Sequence, residues 1–115
     1  MFISIVIPTY NRLFILEKCL LALEKQKKSK YFDDFEVIVV DDGSTDGTVS
    51  WLEKNSDLFP HLLIIEQEHR GPGEDRNKGV NLAKGNVIVF IDSDLVVTNS
   101  FLENHSLALK KACEK

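Results

Sequence analysis

Cysteine is scarce: the 115 residues include two, Cys19 and Cys113, far apart in the chain. Each sits among apolar residues at helical spacing, so neither a disulfide framework nor a metal knuckle is expected. Reduced, buried thiols in a cytoplasmic protein are the simplest account. Long apolar runs are also absent. None approaches the roughly 18 residues of a membrane span, so no transmembrane segment is expected. The start, Met1-Phe2-Ile3-Ser4-Ile5-Val6-Ile7, lacks a basic leader and breaks at Pro8, so it reads as a strand and not as a signal peptide. Positive charge is in deficit, with a formal net charge of -4. That argues against nucleic acid or an anionic membrane surface as the main partner. The one basic run, Lys25-Gln26-Lys27-Lys28-Ser29-Lys30, reads as a solvated helix end. Internal repeats and low-complexity segments are missing as well.

What is present is the composition of an ordinary globular domain, 43% hydrophobic and 28% charged. The length suits a single domain, residues 1–115, with a real core. Short apolar runs alternate with longer amphipathic stretches. Residues 2–7 form an apolar run stopped by Pro8, and Asn11 is placed to cap the next helix. Leu13, Leu16, Leu20 and Leu23 recur on that helix at helical spacing. Residues 35–40 read as a second strand, 48–54 as a short helix and 62–65 as a third strand. A loop, Arg70-Gly71-Pro72-Gly73, leads to a helix over residues 74–84 that Gly85 and Asn86 end. Residues 87–91 are a fourth strand, and Ser100 with Glu103 makes a capping box for a last helix.

Continuous apolar strands alternating with helices predict an α/β, Rossmann-like, mostly parallel four-stranded sheet with helices on both faces. Ligands of such sheets bind beyond the carboxyl ends of the strands. The polar segments Pro8-Thr9-Tyr10, Asp41-Asp42, Arg70 to Arg76 and Asp92-Ser93-Asp94 all follow strands directly, so they should meet at one edge.

Asp92-Ser93-Asp94 places two carboxylates two residues apart at a strand end. That is a hard-oxygen site suited to Mg²⁺ or Mn²⁺, with ligand phosphates completing the shell. An acidic loop capping the following helix has the same composition, and the segment alone does not separate the two. In Asp41-Asp42-Gly43-Ser44-Thr45-Asp46-Gly47-Thr48, the glycines suit turns, Thr45 and Asp46 read as caps, and Asp42 is the better ligand candidate. A helix opening at Arg70 to Arg76 could attract phosphate, but Glu74 and Asp75 oppose an anion there. Arg76 is therefore either a structural contact or a base-side one. The histidines show no common ligand spacing; only His69 lies beside a candidate loop. Trp51 reads as packing.

The stretch Ser4-Ile5-Val6-Ile7-Pro8-Thr9-Tyr10-Asn11-Arg12 resembles the opening of family 2 glycosyltransferases of the GT-A fold. Val39 to Thr48, the block Gly71-Pro72-Gly73 with Arg76-Asn77-Lys78-Gly79 and Ala83-Lys84-Gly85, and Phe90-Ile91-Asp92-Ser93-Asp94 resemble its later landmarks, the last being its D-x-D element. The four occur in order over essentially the whole chain. The resemblance implies the N-terminal half of a GT-A fold that binds a nucleoside-diphosphate sugar, a UDP-sugar first among them. It implies that Pro8, Thr9 and Tyr10 border the base, that Asp42, or less readily Asp41, bonds to it, and that Arg76 lies on the base or diphosphate side. Asp92 and Ser93 would meet the nucleotide sugar, and Asp94, with Asp92, a divalent cation, Mn²⁺ or Mg²⁺. Two positions depart from the pattern: Asp75 stands where a small residue is usual, and Leu95 where another acid often follows D-x-D.

The same resemblance implies inverting transfer to a saccharide or lipid-linked acceptor. It puts the general base beyond Lys115, so the chain is expected to be truncated before its acceptor half, bound at most to the inner face of a membrane through that half, and inactive in transfer alone. Sheet edges or helix faces left bare would favour a homo-oligomer. Two other readings compete. One is a non-catalytic nucleotide-sugar-binding or interaction module. The other is a haloacid-dehalogenase-type phosphatase, since Asp92-Ser93-Asp94-Leu95-Val96 fits D-x-D-x-[TV]; that motif normally follows the first strand, and here three strand–helix units precede it. A dinucleotide-binding domain would need G-x-G-x-x-G in the first turn, where Pro8-Thr9-Tyr10-Asn11 stands instead.

Overall fold

A computed structural model describes residues 1–113. Four parallel strands, β1 (Phe2–Thr9), β2 (Asp34–Asp41), β3 (Leu62–Glu66) and β4 (Val87–Phe90), form one sheet in the order β3-β2-β1-β4. The helices are α1 (Leu13–Glu24), α2 (Thr48–Lys54), α3 (Pro72–Leu82) and α4 (Phe101–Cys113), with a short 3-10 turn at Ser56–Leu58. The expected parallel α/β sheet is therefore what forms.

The two central strands read as unbroken apolar runs because both of their faces are covered. Ile3, Ile5 and Ile7 of β1 join Val37 and Val39 of β2 on one face, against Leu16, Cys19, Leu20 and Leu23 of α1, Leu52 of α2 and Leu102 of α4. Each large side chain fully buried there contributes roughly 2 kcal/mol. On the other face α3 lies over Val6, and its only buried positions are Asp75 and Gly79, one turn apart. A Cβ at Gly79 would collide with the Val6 side chain, so the glycine is what lets this helix sit close to the sheet.

Strand β1 runs through Pro8 to Thr9, past the expected stop. Val6 carbonyl accepts from Ile91 N on the β4 side (3.2 Å), and Pro8 shares that side. The last β1–β4 pair is Val6↔Phe90, so the missing Pro8 N–H falls where the ladder has already ended.

Three expected caps are corrected. Asn11 adopts φ 50° and its Oδ1 accepts from Thr45 N instead, at 2.7 Å. The first α1 amide, Leu13 N, is satisfied by Asp46 Oδ2 at 3.1 Å. The α4 amide of Leu102 is satisfied by Gln26 Oε1 at 3.0 Å, where a Ser100–Glu103 box was expected. Helix α3 stops at Leu82, and Gly85 serves a close approach to β1, its N–H donating to Ser4 Oγ at 2.8 Å. Cys19 is buried and unpaired among the described residues. Burial, with the Asp94 carboxylate, pushes its thiol up to about 12. The expectation for the Cys113 thiol lies outside the described side chains. Trp51 packs against the core with its ring 6.1 Å from Phe59.

Candidate functional site

The carboxyl ends of β1, β2 and β4, with the loop that follows β3, surround one cleft of about 430 Å³. Its wall includes Pro8, Thr9, Tyr10, Asp42, Arg76, Asp92, Ser93 and Asp94. Every sequence-derived site residue except Asp41 is thus brought to one place.

The strand ends explain the arrangement. Successive residues of an extended strand point to opposite sides, so Asp41 and Asp42 part company. Asp41 is buried beneath its own turn, where Oδ2 accepts from Ser44 N at 2.9 Å and Oδ1 from Ser44 Oγ. It does not line the cleft, and its expected ligand role is corrected to that of a turn anchor. Gly43 takes φ 83° so that the chain can reverse there, beside the His69 backbone.

Asp42 faces the cleft but is only 2% exposed. Its Oδ1 accepts from Arg70 N at 2.8 Å and its Oδ2 from Gly71 N at 3.1 Å. His69 Nδ1 lies 2.8 Å from Oδ2. Burial opposes ionisation of Asp42, but the Arg70 amide, Asp75, the Gly71 amide and His69 outweigh it and hold the carboxyl below its ordinary range. Asp42 is therefore already tied to the loop that opens α3.

Asp75 lies behind that loop, also 2% exposed. Its Oδ1 accepts from Gln67 Nε2. Burial, then the hydrogen bond with Asp42, raises its carboxyl to about 6, against the pull of Gln67. Across the mouth, the Tyr10 and His69 rings lie 4.5 Å apart at 44°, leaving Tyr10 partly exposed for stacking. Thr9 Oγ1 is buried without a hydrogen-bond partner among the described residues. A hydroxyl so placed in a cleft wall is an unmet polar group that a ligand can satisfy.

Asp92 and Asp94 are exposed, and Ser93 between them is buried. An Arg76 guanidinium nitrogen stands 4.0 Å from Asp92 Oδ1 across the cleft. Among the described residues no three His, Cys, Asp or Glu side chains gather as a metal cage. Two open carboxylates fit a hard cation that takes its remaining oxygens from a ligand's phosphates. They do not suit an ion held by protein alone.

Sequence reasoning missed Asp75, Arg12 and Pro72 as members of the wall and named His69 only as a neighbour. One signal for Asp75 was available. Gly79 stands one turn after it, and a glycine so placed marks the helix face that meets the sheet.

A family model described as Glycosyl transferase family 2 matches residues 4–113. The poly(ribitol-phosphate) beta-glucosyltransferase of Bacillus spizizenii is 41% identical over 94 residues, covering 80% of this chain and 14% of that protein. The S. aureus TarS 1-349 structure in complex with UDP-GlcNAc superposes with a TM-score of 0.83 at 34% identity, covering 96% of this chain and 32% of that one. The mannosyltransferase PcManGT from Pyrobaculum calidifontis, in complex with GDP-Man and Mn2+, gives 0.74 at 32% identity, with 89% and 30% covered. The chain thus spans a third or less of each of these relatives, at 14%, 32% and 30%.

Proposed function

The chain belongs to glycosyl transferase family 2, and from that premise we propose that its cleft binds the nucleoside-diphosphate sugar donor of a glycosyltransferase, with a divalent cation. The observation that carries the reading is the convergence of four strand ends on one cleft whose wall holds an unpartnered Thr9 hydroxyl, an exposed aromatic ring and two open carboxylates. A UDP-sugar is the first candidate. The relatives in complex with UDP-GlcNAc and with GDP-Man support a nucleotide sugar of this general kind.

In this reading Pro8, Thr9 and Tyr10 border the base, with the Tyr10 ring stacking on it. Asp42 recognises the base edge together with the Arg70–Gly71 backbone that it holds. Arg76 faces the diphosphate side and keeps Asp92 oriented. Asp92 and Ser93 meet the ribose and diphosphate. Asp94, with Asp92, holds Mn²⁺ or Mg²⁺. The cation, when bound, offsets the negative charge that grows on the departing nucleoside diphosphate. Transfer inverts the anomeric centre, onto a saccharide or lipid-linked hydroxyl. These residues form the donor half of that reaction, and the general base is assigned to none of them. Among the described residues no helix is long and apolar enough to cross a membrane. A cytoplasmic site of action, at the inner face of a membrane, is part of the proposal.

Titration calorimetry with UDP, GDP and dTDP, each with and without Mn²⁺, tests the reading. Metal-dependent binding of at least one is expected. If none binds in a metal-dependent way, the donor site is refuted.

A further inference from the structure

Asp42 is committed to the protein before any ligand arrives. A carboxylate offers about four lone-pair positions. Arg70 N occupies Oδ1, while Gly71 N and His69 Nδ1 share Oδ2. The group is also only 2% exposed. It keeps little capacity of its own to tell one base from another. Of its partners, His69 is the one that brings a side chain to the cleft wall, and that side chain is 65% exposed.

The geometry fixes which ring nitrogen carries the proton. His69 Nδ1 lies 2.8 Å from Asp42 Oδ2 and 3.2 Å from the Asp42 carbonyl oxygen. A backbone carbonyl only accepts, so Nδ1 is the donor in every protonation state of the ring. Nε2 makes no hydrogen bond among the described residues, and in the neutral ring it is a bare acceptor. Two further contacts hold the ring in place. Its centroid is 4.5 Å from that of Tyr10, with the planes at 44°. A Cβ at Gly43 would stand 3.3 Å from His69 N and 3.7 Å from His69 Cβ, so the glycine leaves room for this approach.

Resting on the reading that the cleft takes a nucleoside diphosphate with its base against Tyr10, we infer that His69 is a specificity-determining residue whose Nε2 accepts from a ring N–H of the base. The Tyr10 and His69 rings meet at an angle, so a flat base laid on the exposed part of the Tyr10 ring has an edge beside the imidazole. Uracil and thymine carry such a proton on N3, and guanine carries one on N1. Cytosine and adenine have a lone pair at the matching ring nitrogen. The same approach then sets two acceptors against each other. The donor class narrows to nucleotides of uracil, thymine or guanine. Asp42 takes part in that selection by holding the His69 tautomer.

The first arm of the test needs no nucleotide. In isotope-labelled protein the imidazole nitrogen resonances should show Nδ1 protonated and Nε2 bare in the neutral ring. A neutral ring protonated on Nε2 instead overturns the inference. The second arm measures UDP and CDP affinity with Mn²⁺ by calorimetry, at a pH where those resonances report a neutral ring; GDP and ADP replace them if GDP binds more tightly than UDP. The wild type should prefer UDP by about tenfold or more, the worth of one hydrogen bond made or missed. His69→Gln can still donate to Asp42 but has no second ring nitrogen. His69→Phe keeps a ring beside Tyr10 with no nitrogen at all. In both variants UDP affinity should fall about tenfold and CDP affinity change less than about twofold, so the preference disappears. The Arg70 and Gly71 amide resonances should stay in place in His69→Gln, since Asp42 still holds its turn. A preference lost only where those resonances move makes His69 a support of the loop and overturns the inference. A wild type that binds UDP and CDP alike, or a preference that survives in either variant, refutes the role of His69 and leaves the donor site standing. If none of UDP, GDP and dTDP binds with Mn²⁺, the donor-site reading falls and this inference falls with it.

Discussion

The two edges of the sheet use polar side chains in opposite ways. At the amino edge they close on the protein itself. Ser4 Oγ donates to Glu36, and Glu36 accepts from Lys84 N at 2.7 Å. Asn86 Oδ1 accepts from Phe2 N at 3.0 Å. His61 pairs with Glu24 at 2.8 Å. At the carboxyl edge, Asp92 and Asp94 stand open, Thr9 has a hydroxyl unpartnered among the described residues, and burial raises the Asp75 carboxyl to about 6. A fold that satisfies its polar groups at one edge and leaves them unsatisfied at the other keeps the second edge for something outside itself. Substitutions at the amino edge should therefore cost stability and spare binding, and those at the open carboxyl edge should do the reverse.

The largest effect belongs to Gly85→Ala at the amino edge. A Cβ there would lie 2.5 Å from Ser4 Oγ, 2.7 Å from Phe2 O and 2.8 Å from Ser4 N. Two of those atoms are backbone of the central strand, so little can give way. A loss of about 3 kcal/mol in chemical denaturation is expected, with UDP affinity of the remaining folded protein unchanged. A stability change within error would show that the edge is loosely built. Next comes Asp94→Ala. Removing an exposed carboxylate should leave the melting temperature alone and lower Mn²⁺-dependent UDP affinity by about tenfold or more. Unchanged metal dependence in calorimetry would refute its role and erase the contrast between the edges.

The Asp75→Asn variant tests the contrast in stability. A carboxyl raised on folding binds its proton more tightly in the native state. Its contribution is full below the ordinary 3.8, fades as pH climbs toward about 6 and is gone above that. The variant should therefore match the wild type near pH 4 and melt about 5 °C higher near pH 7.5. Equal melting temperatures at both pH values would mean that the pair carries no strain.

Much of this was legible in sequence, and the parts that were not have a common cause. Apolar runs ended by Pro8, Asp41 and Asp92 marked the strands and the edge where they deliver their polar residues. Helix α2 falls on residues 48–54, as its pattern predicts. What could not be read was pairing between distant segments. The α1 amide is capped by Asp46 and the α4 amide by Gln26, each far along the chain. Asp41 and Asp42 look alike as letters and both are buried, and only the fold decides that Asp41 closes on its own turn while Asp42 faces the cleft. Asp75 was visible as an odd residue at a helix start. Its meaning depends on Asp42, which is brought beside it by the sheet.

The smallest effect sharpens the comparison most. Asp46 sits at the carboxyl edge, yet it behaves like an amino-edge residue. Its Oδ2 accepts from Leu13 N at 3.1 Å and its Oδ1 from Thr48 N at 3.2 Å, so one carboxylate serves the first amides of two helices. Partial burial opposes its charge, but the Thr48 hydroxyl and these amides win and hold its carboxyl below the usual value. Asp46→Ala should cost about 1 kcal/mol, as the loss of an N-cap does, because water reaches an exposed site and replaces part of each bond. A carboxyl lowered on folding stabilises only while ionised. The gap between Asp46→Ala and wild type should thus be full near neutral pH and close as pH falls through and below the ordinary 3.8. UDP affinity should be unchanged, since Asp46 does not line the cleft. A variant that keeps its stability but loses nucleotide binding would move Asp46 into the site. It would also show that position at the edge, and not a side chain left unsatisfied by the fold, is what marks a functional residue here.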